Sequence, residues 1–505
     1  YSLYEGHGQT ITTLHSETVA AHLAGLSTLG FIYEYVTRKA GFVTEVSSKV
    51  RHAEAGKLMG LAPYGQPQPN WHRWIRAIAD SYSLEISAYD IFLEIAALEK
   101  QYDTGEGKPY LRPYLVDLAY KVQSELEQAL LHIVGTAMRQ TGLRKLCLAG
   151  GVSLNSVANY ELLRQLRLDD IFVFPAASDS GIAAGCALWA YHTIEGGQKR
   201  IPLKKASLGR RYSQNSIEQA LRHFRSSIEV EELTPEAMIV RSAQALSKGS
   251  VVARFEGGSE YGPRALGQRS IMADPTFKHM KDIVNARVKF REAFRPFAPV
   301  IPLEAISEVF EQSVAAPFML LVSNIKPEFH EKIPAVTHVD GTGRVQTVTA
   351  TENSYFYQVC YQLVKERQSV PVLLNTSFNV AGQPIVETPL EAIETFLSTD
   401  IDYLAIENYW ISKRHFPVLS YEEHLAKVGD SVLPKGLGET APAVTELMEK
   451  LDRALFLGET ADCPWSLTEL KELSAQGARY KETSRLFSTL PCGYSLQTRL
   501  SSDVV

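Results

Sequence analysis

An α/β fold is predicted for the first half of this chain by two consecutive units in which a short apolar strand runs through a turn into a helix. The first is KLCLAGGVSLNSVANYELLRQL, from Lys145 to Leu166, and the second is DDIFVFPAASDSGIAAGCALWAYH, from Asp169 to His192. A third observation precedes them: Leu115, Leu118, Ala119, Val122, Leu126, Ala129, Leu130, Ile133, Val134 and Ala137 recur at three- and four-residue spacing. That spacing places them on one face of a core helix.

Taken in order, the helix over Leu115–Ala137 is followed by a buried strand, the Gly150-Gly151 turn and an amphipathic helix. A second strand at Ile171–Phe174 then leads into a small-residue helix from Ser180 to His192. The tract QKRIPLKKASLGRRY, Gln198 to Tyr212, is basic with little apolar periodicity and reads as a connection. A first domain is therefore expected over 1–200 and a second over 201–416. The second opens with a helix near Glu236–Lys248, a strand at Val251–Phe255 and the loop GGSEYGPRALG. Residues 417–505, with an amphipathic stretch at Ala443–Leu457, form an extension outside the motifs discussed below.

At 505 residues the chain is too long for one ordinary domain. No apolar run approaches the roughly 18 residues a spanning helix needs, so a soluble protein is expected. A net charge of -6 argues against coating of nucleic acid and favours a small ligand bound by a local cationic patch. Cys147, Cys186, Cys360, Cys463 and Cys492 lie far apart and form no CxxC pair, the pattern of reduced thiols in cytoplasm. The opening YSLYEGHGQT has no charged start and no apolar h-region, and reads as the middle of a domain.

The chemistry concentrates in a few tracts. In AGGVSLNS, Gly150 and Gly151 let backbone approach a phosphate or sugar, and Asn155 adds a polar contact; a purely structural turn is the alternative. In PAASDSGIAAG, Asp179, Ser180 and Gly181 stand at a helix start, where a carboxylate commonly caps the helix for about 1 kcal/mol. In HAEAGKLMGLAPYGQ, from His52 to Gln66, Lys57 meets phosphate or acceptor, or the tract simply packs around a turn.

The cationic tracts lie further on. FEGGSEYGPRALGQRSIMADP, Phe255 to Pro275, carries Arg264 and Arg269, whose planar guanidiniums suit phosphate or a supporting salt bridge. NARVKFREAFRPFAP sets Lys289, Arg291 and Arg295 close together before a restricted PFAP turn, as a solvated helix face or as an anion site. THVDGTGRVQTV adds His338 and Arg344. VPVLLNTSFNVAGQPIVETP offers Asn375, Thr376, Ser377 and Asn379 as short polar groups that can fix a small polar ligand without large entropy losses. With no adjacent base visible, Thr376 and Ser377 are assigned to positioning rather than nucleophilic catalysis.

The tracts around Arg264 and from Lys289 to Pro299 resemble the second domain of the O-carbamoyltransferases of secondary metabolism, which act on nodulation signals, aminoglycosides, cephems and ansamycins. Residues 1 to about 195 resemble the first domain of that family, related to the universal tRNA-threonylcarbamoylation protein. The resemblance implies an actin/Hsp70-like (ASKHA) ATPase-type domain, without its N-terminal portion, followed by an α+β YrdC-like domain. It implies that Gly150, Gly151, Asn155, Ser180, Gly181, Asn375, Thr376 and Ser377 bind nucleotide. It also implies that Arg264, Lys289, Arg295 and Arg344 hold carbamoyl phosphate and carry the catalysis, with His338 as a further carbamoyl phosphate-binding residue.

By the same resemblance Asp179 aligns with a metal-binding aspartate and the metal is a divalent ion, Fe2+. The family's histidine ligands sit in an HHxxH-type motif upstream of the stretch that YSLYEGHG resembles, and His7, His15 and His22 lack that spacing. The implied reaction joins carbamoyl phosphate and ATP into carbamoyl-adenylate and passes the carbamoyl group to the hydroxyl of a small-molecule acceptor. The implied enzyme is a homodimer with no nucleic-acid or membrane partner. The alternatives are a threonylcarbamoyl-type transferase acting on tRNA and a non-catalytic nucleotide-binding regulator.

Overall fold

The computed structural model describes residues 1–428 apart from 9, 17–27, 48–49, 69–70, 87, 104, 106 and 201. The stretch Ala443–Leu457, Cys463, Cys492 and His22 lie outside the described residues.

The long helix is present as Pro113–Thr141. It overruns the apolar pattern at both ends for local reasons. Pro113 occupies the first helical position, where its missing N–H costs nothing, and Gly142 stops the helix at φ 73, a left-handed conformation that suits glycine. Leu115, Leu118, Val122, Leu126 and Ile133 pack with Ile32, Val36, Leu58 and Trp74 into a core that draws on residues 29–133 and on Phe294 from much later in the chain. Truncating a fully buried member such as Leu118 to alanine costs about 2–5 kcal/mol.

The two strand–turn–helix units are present, but the first strand, Lys145–Leu148, is not buried as expected: its residues alternate between exposed and half-buried. Lys145–Leu148 pairs in parallel with Asp170–Val173 across the helix Ser156–Gln165, whose first turn is capped by Asn155 Oδ1 accepting from Ala158 N at 3.0 Å. Beyond the second strand the chain makes a 3-10 turn at Asp179–Gly181, an α-helix at Ile182–Trp189 and a π turn at Ala190–Ile194.

The second half is built on one mixed sheet of nine strands. Their spatial order is Leu321–Asn324, Thr342–Val348, Ala298–Pro302, Leu373–Ser377, Arg269–Ala273, Val252–Phe255, Tyr403–Ile406, Tyr409–Lys413 and Ile228–Glu232. Two pairs are parallel, Val252–Phe255 with Tyr403–Ile406 and Ala298–Pro302 with Thr342–Val348; the other pairs are antiparallel. Alternation along the strands feeds two cores. Val252, Met272 and Leu373 face the helices Pro235–Ser247 and Ser354–Arg367, whereas Ala253, Phe255, Ile271 and Leu374 join an opposite cluster running from Val134 to Ile411. The protein is thus mixed α/β with a large mixed sheet. That second cluster also holds Tyr160, Leu162, Ile171 and Val173, so the strand–helix units of the first half pack directly onto the sheet. Among the described residues no helix is long and apolar enough to cross a membrane.

Candidate active site

A cavity of about 820 Å³ opens between the two halves. One wall comes from the first half, through Tyr33, Lys57, Met59, Gly151 and Asn155; the other comes from the sheet, through Arg264, Arg291, Arg295, His338, Arg344 and Asn375 to Ser377.

The sheet wall is fixed by register. Asn375 lies opposite both Met272 and Ala298, on the middle one of three adjacent strands. Its side chain is 1% exposed and donates to Ala265 O at 3.1 Å and Gln346 Oε1 at 2.9 Å, while Gln346 Nε2 donates to Leu266 O at 2.8 Å. The carboxylate of Glu260 accepts from Leu266 N at 2.7 Å and Gln268 N at 2.8 Å. These bonds hold the loop that presents Arg264. Gly267 at φ 128 is obligatory there, because a Cβ would stand 2.1 Å from Asn353 Nδ2. Gly262 at φ 122 lets the same loop pass Pro175 of the first half, whose carbonyl oxygen would lie 2.5 Å from a Cβ. The adjoining Tyr261 hydroxyl donates to Ser180 O.

Arginine is used in two ways in this loop. Arg269 is fully buried, lies 3.6 Å from the Phe255 ring centroid, and donates to the carbonyls of Glu256, Gly257 and Gln268, so it braces the loop. Arg264 lines the cavity with a buried Nε that has no hydrogen-bond partner. Burial, with Arg295 close by, brings its pKa down to about 10. Arg344 is in the same position: its Nε is orphaned, and burial with repulsion from Arg264, Arg291 and Arg295 pulls it well below the ordinary arginine value. Arg291, which the sequence reading left among the charges of its tract, completes the group. Its Nε donates to Asn285 Oδ1 at 2.7 Å, and burial and Arg295 again lower its pKa.

Carboxylates near this cluster are already engaged. Glu292 lies 3.1 Å from Lys57 Nζ and 3.6 Å from Arg295, and Lys57 also pairs with Glu54 at 2.5 Å. Lys57 therefore acts as a cation across the junction of the halves. Four half-buried guanidiniums thus share one cavity wall, with Glu292 beside Arg295 as a partial counter-charge, an arrangement that an entering anion relieves.

Of the residues singled out from sequence, Arg264, Arg295, Arg344, His338, Asn375, Thr376, Ser377, Gly151 and Asn155 line this cavity together. Lys289 does not. It is 3% exposed, and its Nζ donates to Ser377 O and Asn379 O, each at 2.7 Å, and to Asn379 Oδ1 at 2.6 Å. It secures the turn after Ser377. Burial, then Arg291 and Arg295, hold its pKa well below the usual lysine value.

Gly150, Asp179, Ser180 and Gly181 lie together but outside the cavity wall. Gly150, at φ 98, donates its N–H to Ala177 O at 2.6 Å, joining the two turns at the ends of the parallel strands. Asp179 is exposed and makes no side-chain cap bond. No group of three or more His, Cys, Asp or Glu side chains that could hold a metal occurs among the described residues. Asp179 is thus a single donor, and these residues alone do not fit a divalent-metal site. Tyr33, Asp340 and Thr342 also line the cavity; Asp340 and Thr342 are legible only as part of the THVDGTGRV tract, and Tyr33 has no motif around it.

Comparison with known proteins follows the same division of the chain. Residues 1–188 match the family model Carbamoyltransferase N-terminus, and residues 243–413 match Carbamoyltransferase C-terminus. An uncharacterized Synechocystis protein, sll1178, is 33% identical over 82% of this chain and 71% of its own. The nodulation protein NolNO of Sinorhizobium fredii is 38% identical over 71% of this chain, and NolO of Bradyrhizobium diazoefficiens 37% over the same share. This chain covers 53% of NolNO and 65% of NolO, between half and two thirds of the nodulation relatives. Among solved structures, full-length HypF in its phosphate- and nucleotide-bound form aligns at a TM-score of 0.24 and 15% identity over 50% of this chain and 37% of that one, too low to bear on the fold.

Proposed function

The chain belongs to the carbamoyltransferase family of enzymes, and from that premise we propose that its arginine-lined cavity joins carbamoyl phosphate and ATP into carbamoyl-adenylate. The observation that carries this reading is the convergence of Arg264, Arg291, Arg295 and Arg344 on one cavity, with the buried Nε of Arg264 and of Arg344 lacking a hydrogen-bond partner. A polyanion relieves the repulsion among them; a neutral ligand does not. Two phosphorylated substrates bring several negative charges into one space, and arginine is suited to holding each phosphoryl group through paired donors. In this reading Arg264 and Arg344, which have orphaned donors, take the phosphates first.

Catalysis here is positioning and charge neutralisation. Ser377 and Thr376 line the same cavity as Arg344, at the end of the strand Leu373–Ser377, where their hydroxyls can orient the carbamoyl group or ribose. Lys289 acts one step back, by fixing the 377–379 turn. Gly151 and Asn155 reach the same cavity from the first half, so the carbamoyl group would pass toward the ASKHA-type half, and to the hydroxyl of a small secondary-metabolite acceptor, without crossing bulk water. The sheet half is then the YrdC-like part.

The test is pyrophosphate release by the purified chain with ATP alone, carbamoyl phosphate alone and both together. The reading expects release only with both. Equal release without carbamoyl phosphate, or ATP binding with no release under any condition, sinks it. Carbamoyl transfer to tRNA in place of a small alcohol would move the acceptor to nucleic acid.

A further inference from the structure

Carbamoyl phosphate and ATP give carbamoyl-adenylate, phosphate and pyrophosphate only if one water is consumed and one proton released. The oxygen joining the carbamoyl carbon to phosphorus stays with the carbamate, so the phosphoryl group must take its new oxygen from water. A group that accepts a proton is therefore needed beside the bound phosphate.

The lining of the cavity narrows the choice. Arginine offers no acceptor. Lys57 is engaged by Glu54 and Glu292, and Glu34 by Arg38. Asp340 accepts from Thr342 N at 3.0 Å and from its hydroxyl at 2.7 Å, both at Oδ1, and although burial opposes it, these bonds and His338 hold its carboxyl below the ordinary aspartate value, which makes it a poor base. His52 is exposed at the rim.

His338 differs from all of these. It is 8% exposed, it lines the cavity, and its Nε2 is buried with no hydrogen-bond partner. Its Nδ1 lies 3.4 Å from Asp340 Oδ1. Its backbone N donates to Thr342 O at 2.8 Å, and the Tyr64 ring meets the imidazole edge-on at 5.7 Å, so both the main chain and the ring plane are held. With Nδ1–H turned to Asp340, the lone pair is on Nε2.

We propose that His338 is the general base that takes the proton from the water attacking the phosphorus of carbamoyl phosphate, with Asp340 as its positioning residue. The water oxygen bonds to phosphorus as the bond from phosphorus to the carbamate oxygen breaks, and that electron pair leaves with the carbamate. The proton moves to His338 Nε2 and from there to the released phosphate or solvent. The carbamate oxygen then attacks the α-phosphorus of ATP and displaces pyrophosphate. This assignment rests on the carbamoyl-adenylate reading above and adds the residue that its balance requires.

The experiment compares two carbamoyl donors in the full chain, with ATP present throughout: carbamoyl phosphate, and ammonium bicarbonate, which supplies carbamate by equilibrium and needs no water attack. His338→Gln should lower pyrophosphate release with carbamoyl phosphate about 100-fold or more, the range of a lost general base. Ammonium bicarbonate should restore release by that variant. Asp340→Asn should give a smaller deficit of about 10-fold with the same donor dependence. Full activity of His338→Gln with carbamoyl phosphate, or an equal loss with both donors, overturns the proposal. Absence of pyrophosphate release by the unmodified chain with either donor instead removes the adenylate reading beneath it.

Discussion

The wall built by Arg264, Arg291, Arg295 and Arg344 and the turns built by Gly150, Asp179, Ser180 and Gly181 differ in what surrounds them. The first gathers half-buried cations on one cavity, where burial and then the neighbouring guanidiniums lower the pKa values of Arg264, Arg291 and Arg344. The second is open: Gly150, Asp179 and Ser180 are exposed. A half-buried group of cations on one cavity states the charge of its ligand, because an anion relieves the cost of holding them together. An open helix start with one carboxylate states much less, since water can solvate it in any state.

The largest expected effect lies in the cavity. Arg344→Met should lower adenylate formation by about 100- to 1,000-fold, the usual cost of removing a preorganised donor at a site of charge. The same variant should raise the melting temperature of the ligand-free protein, since Arg344 has no partner to lose and its repulsion with Arg264 disappears. A lower melting temperature together with full activity would make Arg344 structural and erase the contrast between the two regions.

Next in size is Lys289→Met. It strands Ser377 O and the Asn379 oxygens without their donor, and should cost about 2–4 kcal/mol in urea unfolding. Unchanged stability with lost catalysis would instead move Lys289 into direct contact with phosphate.

On the open side the effects shrink. Gly150→Ala meets no atom within 4 Å, so only its φ of 98 is strained, and about 1–3 kcal/mol is expected. Asp179→Asn should change stability by less than about 0.5 kcal/mol, because the side chain is exposed and caps nothing. A much larger loss there would mean that Asp179 has a partner which the described residues do not supply.

The same two regions explain what could be read in advance. The helix of Pro113–Thr141 and the strand–turn–helix units were legible because apolar spacing and glycine turns are local signals. Arg264 and Arg344 were legible because each sits in a glycine-rich tract. Lys289 and Arg269 sit in the same tracts but bond carbonyls, because adjacency in sequence cannot say whether a cation faces a cavity or a set of carbonyls. Lys289 bonds Ser377 and Asn379, nearly ninety residues on. Arg291 was masked by its neighbours, and Tyr33 by the absence of any pattern, because both reach the cavity only through pairing and packing of distant segments. The closure of the sheet, with Leu373–Ser377 set between Ala298–Pro302 and Arg269–Ala273, is long-range and left no periodic trace.

The central claim is tested most directly by mass spectrometry of the acid-quenched reaction of the full chain with ATP and carbamoyl phosphate, run beside Arg344→Met. A carbamoyl-adenylate ion is expected in the first, requiring both substrates, and is expected to be lost in the second. No such ion from folded, ATP-binding protein, or an equal yield from both proteins, would contradict it.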